Sequence, residues 1–400
     1  MTRVALMLAL AAAPCGAYSA LSHEAVIDAV WLSHIRPMLL ARFPGATPDQ
    51  IREAHGYAYG GSQIQDMGYF PFASHLFSDL AHYVRSGDFV AAMIRDSETM
   101  DEYAFALGAL AHYTADRFGH PAVNRSEPLE YPKVRRKYGN YVTYEDNPTD
   151  HIKTEFAFDV IQVSHKLYAP DDFRNFIGFE VSGPLLERAF QDTYGIPMKS
   201  IFGDLDLGIG TYRWTVGKVI PEMTKVAWDS KRDDIERLSP HITRSRFVYA
   251  MPRRDYQRLW DRRYRKPGIF TRMLAFFFRL IPTVGPFRFL SFRPVPAKAE
   301  TDFLHSFDVT VGQYRTALEE IRRGRVQLTN YNLDTGELVR PGVYRLADQT
   351  YAHLVDRLAR AHFANVPAAM RADIIAYFGR ADRSKFSKKT LAEVEELKGK

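Results

Sequence analysis

Residues 111–121 read AHYTADRFGHP and put His112, Asp116 and His120 at successive spacings of four. On a helix, positions four apart are near neighbours, so an imidazole from His112 and a carboxylate from Asp116 can meet at one point. His120, a further four residues on, lags by about 80° of rotation at 3.6 residues per turn. Gly119 and Pro121 read as the end of this helix, which would leave His120 to turn aside. One such triplet is common by chance, so its companions decide its meaning.

Companions lie on both sides. TDHIKTEF, at 149–156, sets His151 and Glu155 at i and i+4 on another helix, the same pairing of nitrogen and oxygen ligands. Upstream, SQIQDMGYF supplies Asp66 and SDLAHYVRSGDF supplies His82. Taken singly, His82 or His112 reads as a hydrogen-bonded, half-buried histidine, Asp66 as a cap, and His151 with Glu155 as a solvated pair. His75 competes with His82 as the partner of Asp66, and His82 is preferred because His75 follows Pro71 in a looser stretch. His75, Asp79 and His55 are therefore read as structural. Eight of the thirteen histidines fall between His23 and His151, about a third of the chain, so the set is clustered. Histidine and carboxylate without cysteine suit zinc or a harder ion, with imidazole favouring zinc.

The chain has 400 residues, 46% hydrophobic and 25% charged, enough to bury one large core or two. A net charge of +6 is modest for that length and does not by itself require nucleic acid or an acidic partner. From residue 24 to about 236 apolar residues recur three and four apart, which predicts helices near 24–42, 48–57, 73–86, 101–118, 148–167, 182–194 and 205–235. Asn147 and Pro148 form the cap and first turn of the fifth. Beyond about residue 240 the pattern predicts helices over 303–324 and 344–363. TNYNLDTGELVRPGVY (329–344) reads as a small hairpin around Asp334, Thr335 and Gly336, and KFSKKTLAEVEELKGK as a solvated helix or tail.

Two segments bear on location. MTRVALMLALAAAPCGAYSA has Arg3, an apolar run from Val4 to Ala13, and small residues through Cys15, Gly16 and Ala17. That is the layout of a secretory signal peptide cleaved after Ala17, and the run is far shorter than the ~20 residues that span a bilayer. Cys15 is the only cysteine and lies within that segment; Pro14 before it fits a lipoprotein site badly. The exported chain, periplasmic or extracellular, would then rely on packing or metal in place of disulfides. Between Met251 and Arg293 eleven Lys and Arg stand against two Asp, so the basic character is local. Within it, IFTRMLAFFFRLI (269–281) sets Arg272 and Arg279 seven apart, opposite Phe276, Phe277 and Phe278. This suits either a helix packed on the core or one lying at a membrane surface.

Together these residues resemble the zinc-dependent bacterial phospholipases C and the related single-strand-specific nucleases. Cleavage after Ala17 would make Tyr18 the first residue, with His23 a short turn later, similar to that family's start. Asp66, His82, HYTAD, the HP of His120 and HIKTE follow in the family's order, over roughly residues 18–235 and most specifically over 105–160. Tyr18 stands where the family usually has tryptophan, and the interval from Asp116 to His120 is shorter than the usual H-x3-D-x5-H.

The resemblance implies a mainly α, multi-helix bundle with three zinc ions. Asp66, His82, His112 and Asp116 would hold one. The main chain of Tyr18, His23 and a bridging Asp116 would hold the second, and His120, His151 and Glu155 the third. Asp66 would also orient the attacking water. Residues 1–17 are then a signal peptide, 18–240 the helical domain, and 241–400 a basic, partly amphipathic, mostly helical extension. The implied activity is a secreted phospholipase C that hydrolyses the glycerol-phosphate ester of phospholipids, touching the membrane through 251–293, with no specific protein partner inferred. A single-strand-specific nuclease or 3′-nucleotidase on the same core, or a metal-stabilised lipid-binding envelope protein without turnover, are the alternatives. Nucleic acid is a partner only under the first of these.

Overall fold

Residues 20–164, 180–215 and 295–400 are described by a computed structural model, with isolated positions between 228 and 293 and without the side chains of 160–164. The expected signal peptide, Tyr18, and the membrane-contact candidates Arg272, Phe276, Phe277, Phe278 and Arg279 lie outside the described residues.

The helical spacing of apolar residues is realised as fourteen α-helices, and no β-strand occurs among the described residues. The first ten are α1 (Ala20–Val30), α2 (Arg36–Arg42), α3 (Pro48–Gly61), α4 (His75–Tyr83), α5 (Ser86–Asp96), α6 (Met100–Glu130), α7 (Pro132–Tyr138), α8 (Pro148–Ser164), α9 (Gly183–Tyr194) and α10 (Leu205–Trp214). The extension adds α11 (Ala297–Arg322), α12 (Arg345–Arg360), α13 (Ala368–Gly379) and α14 (Lys388–Lys398). The mainly α bundle expected from the sequence is the observed fold, and none of the described helices is long and apolar enough to cross a membrane.

Helix α6 is the axis. A capping box starts it, with Thr99 Oγ1 accepting from the Glu102 N–H and Glu102 Oε2 from the Thr99 N–H. It crosses α3 so closely that a Cβ on Gly108 would fall 2.0 Å from the Ala58 carbonyl oxygen, and one on Gly61 2.0 Å from that of Phe105. Only paired glycines permit this crossing. On another side α11 packs along α6, where the Tyr314 hydroxyl donates to the Leu107 carbonyl at 2.8 Å. Phe303 of α11 stacks on Phe158 of α8 with centroids 4.3 Å apart. Helices of the extension thus share one continuous apolar core with the first half of the chain.

Several elements differ from the sequence reading. The helix expected to stop near Gly119 runs on to Glu130 with Pro121 and Pro128 inside it. A proline in a helix removes one N–H and frees the carbonyl four residues back; here the Arg117 carbonyl freed by Pro121 meets a close backbone neighbour, Gly336. The helix expected over 73–86 is α4, which ends at Tyr83; Arg85, left-handed at φ 51°, then turns the chain into α5, a helix absent from the sequence reading. A π-turn at Trp31–Ile35 interrupts the helix expected over 24–42. The expected hairpin is a loop with one antiparallel bridge, Tyr331 to Leu338. The terminal helix α14 is not wholly solvated, since Val394 and Leu397 are buried.

Candidate metal centre

Four helices and one 3-10 turn (Ile64–Tyr69) deliver the ligand-type side chains. His112, Asp116 and His120 come from α6, His82 from α4, His151 and Glu155 from α8, His23 from α1 and Asp66 from the turn. All eight are buried. Asp159, one turn beyond Glu155 on α8, fixes the start of α1 by accepting from the N–H groups of Leu21 and Ser22 at 3.2 and 2.9 Å. That capping of free N–H groups sets His23 one residue further into the site.

These side chains converge into three groups able to hold a cation: His23 with His112 and Asp116, Asp66 with His82 and His112, and His120 with His151 and Glu155. Asp116 is shared. Its Oδ2 lies 2.9 Å from His112 Nε2 and 3.2 Å from His82 Nε2, while Oδ1 lies 3.6 Å from His23 Nε2. Asp66 Oδ1 lies 3.4 Å from His82 Nε2, so it is His82 that stands beside Asp66, while His75 packs edge-on against Tyr69. In the third group His151 Nε2 is 3.0 Å from Glu155 Oε1, and the rings of His120 and His151 are 5.4 Å apart.

His120 reaches this third group without leaving its helix. Because α6 continues, the 80° lag of position 120 behind 112 already aims it away from His112 and Asp116. The even spacing of four therefore distributes one helix between two groups.

Three of the site's imidazoles have an oxygen close behind Nδ1. His82 Nδ1 faces the Ser78 carbonyl at 2.7 Å, His112 Nδ1 the Ser62 carbonyl at 3.0 Å, and His151 Nδ1 the Glu127 carboxylate at 3.3 Å. Asn147 holds Glu127 in turn, donating from Nδ2 to Oε1 at 2.9 Å. A carbonyl can only accept, so the proton of neutral His82 or His112 belongs on Nδ1 and each Nε2 presents a lone pair inward. Metal-ligating histidines are commonly backed by an acceptor at the other ring nitrogen in this way.

Burial and the neighbouring charges pull these groups in opposite directions. Burial opposes ionising His82 and His112, yet the adjoining Asp116 and Asp66 carboxylates outweigh it and raise both imidazoles, His82 far above its usual value. Burial would raise Asp116 and Asp66, but His112 and His82 hold both below the carboxylate range. Burial, aided by His112, holds His23 down to about 3, and burial, aided by His151 and His82, outweighs the carboxylate neighbours of His120 to hold it down to about 4. Burial keeps Glu155 well above its ordinary value, while Glu155 and Glu127 overcome burial to lift His151 to about 10.

A divalent cation fits these residues. Two Nε2 atoms, on His82 and His112, face each other at 3.5 Å beside Asp116. Among the described residues both oxygens of Asp116, both of Glu155 and both ring nitrogens of His120 are buried with no hydrogen-bond partner, although several lie close to opposite charge. Short contacts off the line of an N–H bond suit ligands pointing at a common ion better than they suit hydrogen bonds. The set of imidazole and carboxylate without thiolate matches zinc.

Four contributors were not read from the sequence. Glu127 lies seven residues after His120, hence on the same face of a continuous helix, and the expected stop at Pro121 concealed it. Ser62 and Ser78 act through main-chain oxygens, which no side-chain pattern marks. Asp334, whose Oδ1 is 3.4 Å from His120 Nδ1, comes from the loop between α11 and α12, more than two hundred residues away.

No curated protein and no solved structure matches the chain. Residues 28–204, however, match the family model described as zinc dependent phospholipase C. That span holds seven of the eight converging side chains, His23 alone preceding it. Over these residues the chain is similar to the zinc-dependent phospholipase C family.

Proposed function

We propose that the protein is an exported zinc-dependent phospholipase C that hydrolyses the glycerol-phosphate ester of phospholipids with water as nucleophile. The observation that carries this reading is the convergence of the Nε2 atoms of His82 and His112 on the shared carboxylate of Asp116, with Asp66 at its edge. Three ions are assigned: one to Asp66, His82, His112 and Asp116; one to His23, Asp116 and the main chain of Tyr18; one to His120, His151 and Glu155. Zinc in such a cluster neutralises phosphate charge, acidifies a water towards neutrality and stabilises the leaving oxygen.

The chain's own groups supply the rest. Asp66 Oδ1 is buried without a hydrogen-bond partner among the described residues, so it can orient the attacking water and take its proton. Carbonyls behind His82 and His112 hold those rings in the tautomer that leaves Nε2 bare. The basic aromatic segment 251–293 is assigned to an anionic lipid surface, where each Lys or Arg contributes about 1 kcal/mol.

Purified mature protein supplied with zinc and mixed phospholipid vesicles is expected to release phosphorylated headgroup and leave diacylglycerol. Stoichiometric zinc binding without headgroup release removes the lipase assignment, and digestion of single-stranded nucleic acid in its place transfers the centre to a nuclease.

A further inference from the structure

The third group of ligands is completed from outside the family match. The loop joining α11 to α12 lies across α4, α5 and α6, held along its length by polar contacts. The Tyr113 hydroxyl donates to the Thr329 carbonyl at 2.7 Å, Ser86 Oγ to the Tyr331 carbonyl at 2.6 Å, and the Leu333 N–H to the His82 carbonyl at 3.1 Å. At its tip Gly336, with φ 71°, approaches so near the Arg117 carbonyl that a Cβ would sit 2.4 Å from it. Pro121 freed that carbonyl, and this approach brings the loop tip down beside His120.

The tip delivers Asp334. Its carboxylate is 4% exposed, and no lysine or arginine among the described residues pairs with it. Oδ2 accepts from the hydroxyls of Tyr83 at 2.7 Å and Tyr344 at 2.5 Å, and the Asp334 carbonyl accepts from Asn124 Nδ2 at 2.8 Å. Oδ1 is thereby aimed at His120 Nδ1, 3.4 Å away. Glu127 stands in the same relation to His151 Nδ1, at 3.3 Å. Both histidines of the third group are thus backed by a buried carboxylate that is itself hydrogen-bonded.

We infer that Asp334 is the positioning carboxylate for His120: it holds the ring so that Nε2 is the nitrogen offered to the ion shared with His151 and Glu155. The C-terminal region therefore completes the metal centre. The inference rests on the metal reading above, and it assigns to Asp334 a role toward one ion only.

Asn at this position makes the sharpest variant. The two tyrosine hydroxyls require an acceptor, so the Asn oxygen is committed to them and its NH2 group turns to His120 Nδ1. That nitrogen must then accept, which moves the ring proton to Nε2 and opposes metal binding. In the full-length protein, zinc content and chelator-competition titration are measured for wild type, Asp334→Asn, Tyr344→Phe and, to mark the third ion, His120→Ala. The expected result is a loss of about 10- to 100-fold in affinity for one ion in Asp334→Asn, the same ion lost in His120→Ala, with the others unchanged and a smaller loss in Tyr344→Phe. Wild-type affinity at every ion in Asp334→Asn overturns the inference, and so does equal loosening of all ions with a matching fall in melting temperature, which marks a merely structural loop. If Asp334→Asn does not fold, selective loosening in Tyr344→Phe is required, and its absence overturns the inference. A wild-type chain that takes up no zinc defeats the metal reading itself, and the inference with it.

Discussion

His82 and His112 turn their Nε2 atoms toward each other at 3.5 Å while a main-chain carbonyl occupies each Nδ1. Two lone pairs so placed, with Asp116 and Asp66 beside them, are tolerable only with a cation between them or with extra protons. Chelation is therefore expected to destabilise the protein. Each ion present at a thousandfold excess over its Kd contributes about 4 kcal/mol, on the order of 10 °C in a domain of this size. Differential scanning calorimetry with and without chelator measures this, and an unchanged transition would count against ion binding.

Asp116 is the residue shared between two groups, through Oδ2 to His82 and His112 and through Oδ1 to His23. Replacing it with Asn removes the anion and leaves the imidazoles facing an amide. A loss of about 3–5 kcal/mol is expected, seen as roughly 10²- to 10⁴-fold weaker zinc binding at two ions together. Loss confined to one ion would contradict the bridging role.

Gly108 governs whether His112 meets its partners at all. Its Cβ would fall against the Ala58 carbonyl, a backbone atom that cannot rotate away. Gly108→Ala is expected to separate α3 from α6 and cost at least about 1–3 kcal/mol, with weaker zinc retention because Ser62 moves with α3. Denaturant unfolding alongside a zinc titration reads both effects. An exposed position such as Gly312, where an added Cβ meets nothing within 4 Å, is the control.

Glu130, in the last turn of α6, is held well above its ordinary value by burial, with Glu127 and Asp150 adding to the shift against the Thr154 hydroxyl. A carboxyl with a raised folded-state pKa keeps its proton better in the native state, so its contribution is most favourable below the unfolded value and declines as pH rises through the folded one. The limiting slope is about 1.4 kcal/mol per pH unit. Glu130→Gln, which retains an acceptor for Thr154, is expected to match wild type near pH 4 and exceed it at pH 8. Melting temperatures across that range provide the measurement, and parallel curves would refute the assignment.

The helical fold and the cluster were legible because both rest on short periods. His112 with Asp116 and His151 with Glu155 are pairs at i and i+4 that any helix brings together, and Asp66 and His82 could be ranked from their local stretches. Helix ends were harder. Pro121 is a stop signal in isolation, and only the close approach of Gly336 from the far end of the chain shows how its freed carbonyl is covered. Hence Glu127 stayed hidden behind an assumed helix end, and Asp334 behind the distance between residues 120 and 334. The main-chain oxygens of Ser62 and Ser78 carry no side-chain signature.

The most direct test of the metal centre is anomalous diffraction at the zinc absorption edge from crystals of the full-length protein grown with zinc. Peaks are predicted within coordination distance, about 2.0–2.2 Å, of Asp66, His82, His112 and Asp116, of His23 with Asp116, and of His120 with His151 and Glu155. Zinc found only at surface histidines such as His305 or His353, with these buried side chains unligated, would contradict the account.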